Sequence, residues 1–237
     1  SNSIGGLAFS PDGKSLLSGG ADGAIRPLAV TGLSPAGPPV TAHRGEVKDL
    51  RFAPDGKTIA SCGAGEIRLW GWPGLAPAAW GNARHPGVSR LAYMADGTLV
   101  SIGEKDIRRW NGRTLAAIGD PVPICQNRPD ALAVRSDGKI ATGGTDGSVI
   151  IWDLRARNRL LTPIAAHGPE GAAFTGPDRL VAGSSNGIIR GWSVPEGRLL
   201  WGTHTAGGQP LVRLVVSASG RIAAGLDNGM IQLFEPG

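Results

Sequence analysis

Cysteine is nearly absent: Cys62 and Cys125 are the two in 237 residues. That excludes the dense cross-linking on which small secreted scaffolds depend, and both are read as reduced thiols of a cytoplasmic domain. No stretch approaches the roughly 20 consecutive apolar residues needed to span a bilayer, and no secretory leader is recognisable, so membrane insertion is not expected. Lysine is scarce as well, 5 against 19 arginines. The net charge of +5 is spread without a long run of one sign, which makes nucleic acid an unexpected partner. No glycine-rich stretch precedes a helix or supplies the Lys-Ser/Thr pair of a phosphate loop, so Gly19-Gly20 and Gly143-Gly144 are turn glycines. The chain starts Ser1 to Ser3 without Met and is expected to be a fragment or a processed chain. Its arginine preference and Ala/Gly bias fit a high-GC bacterial source.

Glycine and proline are abundant, 38 and 18 residues. They sit at turns between apolar runs such as Leu50 to Phe52, Val149 to Trp152 and Leu211 to Val216, the pattern of a globular, turn-rich chain and not of a disordered one. The larger regularity is periodic. Trp70, Trp110, Trp152, Trp192 and Phe234 recur at spacings of 40, 42, 40 and 42, and Leu28 lies a further 42 before Trp70. Asp12, Asp55, Asp96, Asp137, Asp178 and Ser219 recur at 43, 41, 41, 41 and 41. Two independent markers with one period give six copies of one unit, about 1–39, 40–79, 80–121, 122–161, 162–200 and 201–237, expected to form a single domain over 1–237.

The clearest copy runs from Asp130 to Asn158. Ala131 to Val134 is a short apolar run, Ser136-Asp137-Gly138 a turn, Ile140 to Thr142 a second strand, Thr145-Asp146-Gly147 another turn and Val149 to Leu154 a third strand. Asp and Gly suit these turns because both tolerate positive φ. A fourth strand is expected at Arg159 to Ile164. Ile25, Ile67, Ile107, Val149, Ile189 and Ile231 stand three residues before the closing residue and so face the opposite side of the sheet. A sheet that is apolar on both faces must be covered on both, which sheets set side by side around an axis achieve. The expected fold is therefore all-β, a propeller of six four-stranded antiparallel blades.

The Ser-Pro-Asp-Gly-Lys turn at Ser10 to Lys14, its near copies at Ala53 to Lys57 and Ser136 to Lys139, His43, His167 and the Trp152-Asp153 pair resemble the WD-repeat propellers, over essentially the whole chain. The resemblance implies a buried network of His, Ser or Thr, Asp and Trp in each blade. Its members here are His43, Ser61 and Trp70; His85, Ser101 and Trp110; Thr142, Asp146 and Trp152; His167 and Trp192. The pattern is incomplete throughout. The second and third units lack the turn Asp, the fourth has Cys125, Gln126 and Asn127 where His is expected, and the fifth has Ala182 and Asn186 in place of hydroxyl and Asp. In this family an outer strand from the other terminus closes the last blade, and Ser1 to Ile4 are too few to serve. The expectation is an incomplete sixth blade, or a ring whose missing piece lies in sequence not present here, either way with an edge near Met230 to Phe234 that can add a strand from a partner.

The histidines His43, His85, His167 and His204 lie about one unit apart, in separate blades, so no metal and no cofactor is expected. The turn carboxylates are spaced likewise, and paired catalytic acids must approach within several ångströms; no catalytic residue is assigned. Arg26, Arg68, Arg108 and Arg190 share one position and are read as a partly packed face. Two surfaces remain. One rim, from the loops entering each first strand and the turns between second and third strands, would present Glu46, Lys48, Ser89, Arg128, Asp130, Thr145, Glu170, Ser185 and Asp227 to a polar peptide or protein. The opposite rim carries Lys14, Lys57, Lys139, Arg113, Arg155, Arg157, Arg159, Arg179, Arg198 and Arg221, beside neutralising Asp residues. The function expected is a non-catalytic interaction scaffold or sensor in a larger signalling protein. A small-ligand or enzymatic propeller with its site at the channel mouth is the alternative, and an anionic partner on the basic rim the second.

Overall fold

A computed structural model describes residues 3–124, 129–135, 137–146, 148–156, 158–159, 164–165, 169–176, 178–194, 196–217 and 220–235. Among them every regular element is a strand, apart from two single 3-10 turns at Thr31–Leu33 and Ala206–Gly208. They fall into two compact units, Ser1–Ile124 and Cys125–Gly237.

The first unit holds three antiparallel sheets, each taking its strands in chain order. Sheet 1 has β1 (Ile4–Phe9), β2 (Ser15–Gly20), β3 (Ala24–Ala29) and β4 (Val40–Thr41); sheet 2 has β5 (Asp49–Phe52), β6 (Thr58–Gly63), β7 (Glu66–Gly71) and β8 (Ala76–Arg84). Sheet 3 has β9 (Arg90–Tyr93), β10 (Thr98–Ile102), β11 (Asp106–Asn111) and β12 (Val122–Pro123). In the second unit, sheet 4 has β13 (Pro129–Val134), β14 (Lys139–Gly144) and β15 (Ser148–Asp153). On its outer side β16 (Asn158–Arg159) and β17 (Ile164–Ala165) both pair with β15, and residues 160–163 of the expected strand Arg159 to Ile164 lie outside the described residues. Sheet 5 has β18 (Pro169–Phe174), β19 (Arg179–Ser184), β20 (Ile188–Ser193) and β21 (Leu199–His204), and sheet 6 has β22 (Leu211–Val216), β23 (Ile222–Leu226) and β24 (Ile231–Phe234). The fold class is the β-propeller, with six blades.

The 40-residue period has a direct physical meaning in the register. Each closing residue pairs across the third strand with an aliphatic on the second, which pairs in turn with an apolar residue on the first. The rows are Phe9, Leu16, Leu28; Phe52, Ile59, Trp70; Tyr93, Leu99, Trp110; Val134, Ile140, Trp152; Phe174, Leu180, Trp192; and Val216, Ile222, Phe234. On the other face, Ile25, Ile67, Ile107, Val149 and Ile189 are at most 1% exposed. Burying each such side chain contributes about 1.5–3 kcal/mol. The first strand of one sheet lies against the next closely enough that side chains must vanish: a Cβ on Gly171 would come within 2.9 Å of the Leu214 backbone.

Sheet 6 departs from this rule. Ile231, at the position buried in the other five, is 76% exposed, and Leu233 on the same face is 71% exposed. Among the described residues β24 pairs only with β23, so the sixth blade has three strands.

Candidate functional site

In sheets 2 and 3 the histidine lies at the entry to the blade and reaches a serine on the second strand. Ser61 Oγ accepts from Trp70 Nε1 at 2.9 Å and lies 2.8 Å from His43 Nε2. Burial, helped by the Arg68 charge, lowers the His43 pKa to about 4, so the ring is neutral near pH 7. Its Nδ1 is buried without a hydrogen-bond partner, which costs about 1–3 kcal/mol.

Sheet 3 completes the set differently. Ser101 Oγ accepts from Trp110 Nε1 at 2.8 Å and lies 2.7 Å from His85 Nδ1, while His85 Nε2 lies 2.7 Å from Asp106 Oδ1. Asp106 was not expected, because the turn before it is short; the carboxylate comes instead from the first residue of β11. As a carboxylate can only accept, Nε2 carries the proton and Nδ1 accepts the Ser101 hydroxyl. Burial holds His85 below its ordinary pKa even though Asp106 opposes the shift. The order Ser, His, Asp is that of a hydrolytic triad, but Ser101 is 0% exposed and its oxygen is already taken by Trp110. No substrate reaches it, and the relay is structural.

In sheet 4 Thr142 Oγ1 accepts from Trp152 Nε1 at 2.8 Å, and Asp146 accepts from the Ser148 amide and hydroxyl at 3.0 and 2.7 Å. In sheet 5 Trp192 is buried, and Asn186 accepts from Ser184. His167, Arg128, Arg157, Cys125, Gln126 and Asn127 lie outside the described residues.

The residue that organises the candidate rim was not legible in advance. Asp49, on β5 and fully buried, accepts from the Leu91 amide in sheet 3 at 2.9 Å through Oδ2 and from the Leu50 amide at 2.9 Å through Oδ1. Arg51, 3.3 Å from the same carboxylate, donates through Nε to the Leu91 carbonyl at 3.0 Å. One main-chain residue of β9 is thus held at both its N–H and its C=O by side chains of β5. Immediately before these strands come Lys48, whose amide bonds Cys62 O at 2.8 Å, and Ser89, whose amide bonds Ile102 O at 3.0 Å. The clamp therefore ties the strand that follows Lys48 to the strand that follows Ser89. Glu46 is exposed and leans over sheet 1, where a Cβ on Gly5 would lie 2.9 Å from its Oε1.

In the second unit the expected rim positions recur on the same strand ends. Asp130 is on β13 and Glu170 on β18; Thr145 and Ser185 are exposed in the turns after β14 and β19. Asp227, exposed in the turn before β24, donates its amide to Pro210 O at 3.0 Å. Within unit 1 Lys48 and Ser89 precede the first strands of sheets 2 and 3, and each remaining described position sits at the same end of its own sheet.

Several of the cations elsewhere are paired with carboxylates. Arg26 pairs with Asp22, Arg68 with Glu66 at 2.9 Å and Arg108 with Asp106 at 3.0 Å. On the opposite rim Lys139 pairs with Asp137 at 2.6 Å, Arg113 with Asp55 at 3.4 Å and Arg221 with Glu235 at 3.0 Å. The Arg135 hydrogen bond holds Asp137 far below the usual carboxylate range. A cleft of about 430 Å³ between sheets 2 and 3 on this side is lined by Asp55, Tyr93, Asp96, Asn111, Arg113 and Ile118. Among the described residues no three His, Cys, Asp or Glu side chains are grouped to hold a metal, and no helix is long and apolar enough to cross a membrane. Cys62 is buried, and burial raises its thiol pKa.

Comparison with known proteins agrees with this architecture. The family model "WD domain, G-beta repeat" matches residues 1–26, 38–71 and 129–153. The chain is 24% identical over 200 residues to ribosomal RNA-processing protein 9 of Saccharomyces cerevisiae, covering 68% of this chain and 35% of that protein. It thus spans about a third of that curated relative. A solved structure titled "Structure of U3-55K" superposes with a TM-score of 0.81 at 20% identity, covering 93% of this chain and 72% of that one, a likeness of fold.

Proposed function

We propose, on the premise that WD-type repeats build this chain, that it is a non-catalytic protein-interaction module whose loop rim holds a polypeptide partner. The observation that supports this reading is the Asp49 and Arg51 clamp on Leu91, which ties together the strands that follow two of the candidate rim loops. A surface fixed before binding loses little entropy on association. Glu46 and Lys48 offer both charge signs, which suits a polar peptide or protein surface better than a uniform phosphate backbone. The name of one relative states a process, ribosomal RNA processing; it supports a partner within a ribonucleoprotein assembly, and it does not support attachment to a signalling protein. A cytoplasmic location belongs to the same reading.

The test is quantitative affinity purification with the intact chain and with Glu46→Lys combined with Lys48→Glu, each with and without ribonuclease. The expected outcome is loss of the major protein partners in the double variant, with wild-type recovery insensitive to ribonuclease. Unchanged recovery by the double variant sinks the rim as the binding surface.

A further inference from the structure

The cleft of about 430 Å³ between sheets 2 and 3 lies away from the loop rim and plays no part in the function proposed for it. Its volume falls in the range of small-ligand pockets, roughly 300–1,000 Å³. Three turns build it: Ala53 to Asp55 after β5, Ala95 to Thr98 after β9, and Asn111 to Arg113 at the end of β11. The last two turns are locked together. A Cβ on Gly112 would come within 2.2 Å of the Gly97 carbonyl oxygen and 2.6 Å of Tyr93 Cε1, and the Tyr93 hydroxyl donates to the Gly112 carbonyl at 3.2 Å. The sheet 3 wall of the cleft is therefore set before anything binds.

Two carboxylates belong to the lining, Asp55 and Asp96, and main chain holds each of them. Asp55 Oδ1 accepts from the Lys57 and Thr58 amides at 2.9 and 3.1 Å, and Asp96 Oδ1 accepts from the Thr98 amide at 2.9 Å. Burial opposes ionisation of Asp55, yet the two amides and the Arg113 charge keep its pKa below the ordinary value, so it is charged near pH 7. Against these carboxylates the lining sets one cation, Arg113. Its Nη2 lies 3.4 Å from Asp55 Oδ2 and its side chain is 77% exposed, whereas Arg68, Arg108 and Lys139 approach their carboxylates to 2.9, 3.0 and 2.6 Å. A long, exposed ion pair contributes little. Arg113 is thus a loosely seated internal occupant, with Ala53, Pro54, Ala95 and Ile118 as the apolar lining beside it.

We propose that this cleft receives an arginine side chain of a partner polypeptide, whose guanidinium replaces that of Arg113 at Asp55 while its methylene stem lies along the apolar lining. Arg113 itself shows that a guanidinium reaches Asp55 Oδ2. A planar guanidinium pairs with a carboxylate through two parallel bonds and is more weakly hydrated than an ammonium, and the Tyr93 ring in the lining adds an aromatic surface suited to the same group. The excess of carboxylate over cation disfavours an anionic occupant. Because main-chain amides already hold both carboxylates, little order is lost on association.

The probe is the capped tripeptide acetyl-Gly-Arg-Gly-amide, titrated into the isotope-labelled full chain with the backbone amides followed by NMR. Saturable shifts are expected at Gly97, Thr98 and Gly112. The same tripeptide with citrulline in place of arginine keeps the shape and loses the charge, and should bind about tenfold more weakly. Arg113→Ala removes the internal competitor from an exposed position and should tighten binding severalfold. Asp96→Asn keeps an acceptor for the Thr98 amide but removes a charge, and should weaken it. Glu46→Lys with Lys48→Glu, on the other rim, should leave it unchanged, so the two surfaces are tested separately. The proposal is overturned if the arginine tripeptide does not saturate at these amides or if the citrulline tripeptide binds equally well. It is equally overturned if Arg113→Ala weakens binding, for then Arg113 holds the ligand and does not compete with it.

Discussion

His43 is neutral near pH 7 and Asp49 holds a neighbouring strand by hydrogen bonds, and both are buried, so single residues govern much of this fold's response to conditions. The His43 pKa falls from 6.5 to about 4 on folding. The unfolded chain therefore binds more protons between those values, and stability is full above about pH 6.5 and declines as pH falls toward 4. The loss amounts to about 3 kcal/mol from this residue, with His85 acting in the same direction. Thermal melts at pH 7 and pH 4.5 should show this drop, and His43→Gln should reduce the difference between them. Asp49→Ala removes the acceptor of the Leu91 amide and leaves Arg51 beside an emptied site; a loss of about 2–4 kcal/mol is expected from urea unfolding. Asp49→Asn, which keeps an oxygen in place, should cost less.

At the scale of elements, the third strands and turns could be read from sequence because one residue type recurs where one physical demand recurs: an aromatic filling the row across each sheet, an Asp closing each hairpin. Lys57 and Thr58 donate their amides to Asp55 at 2.9 and 3.1 Å, and Thr98 does so to Asp96 at 2.9 Å, so the marker and its cause coincide. Asp106 and Asp49 were hidden for the complementary reason. Their roles depend on which segment lies opposite, which a repeat pattern does not state, and Asp49 opens the Asp-Leu-Arg-Phe strand β5 at a position that no periodic marker singles out. Gly23 shows how tightly hairpin and loop interlock. It has φ of 80°, and a Cβ there would sit 2.1 Å from the His43 carbonyl. Gly23→Ala should lower stability by more than about 2 kcal/mol, measured as a fall in melting temperature, because it combines left-handed strain with displacement of the His43 loop.

For the molecule as a whole, a modest surplus of +5, with several cations paired to neighbouring carboxylates, predicts weak, salt-sensitive RNA binding. Filter binding with a generic single-stranded RNA should show affinity falling steeply as salt rises from 50 to 200 mM, the mark of counterion release; tight binding that ignores salt would contradict the protein-partner reading. The two units also need not loosen uniformly. Because the Leu91 peptide is gripped at both ends by side chains of the preceding sheet, local fraying of sheet 3 must break contacts in sheet 2 as well. Deuterium uptake should reveal the two as one late-opening block, with the Leu91 amide among its slowest protons, while the hydrogens of Ile231 and Leu233 exchange at once.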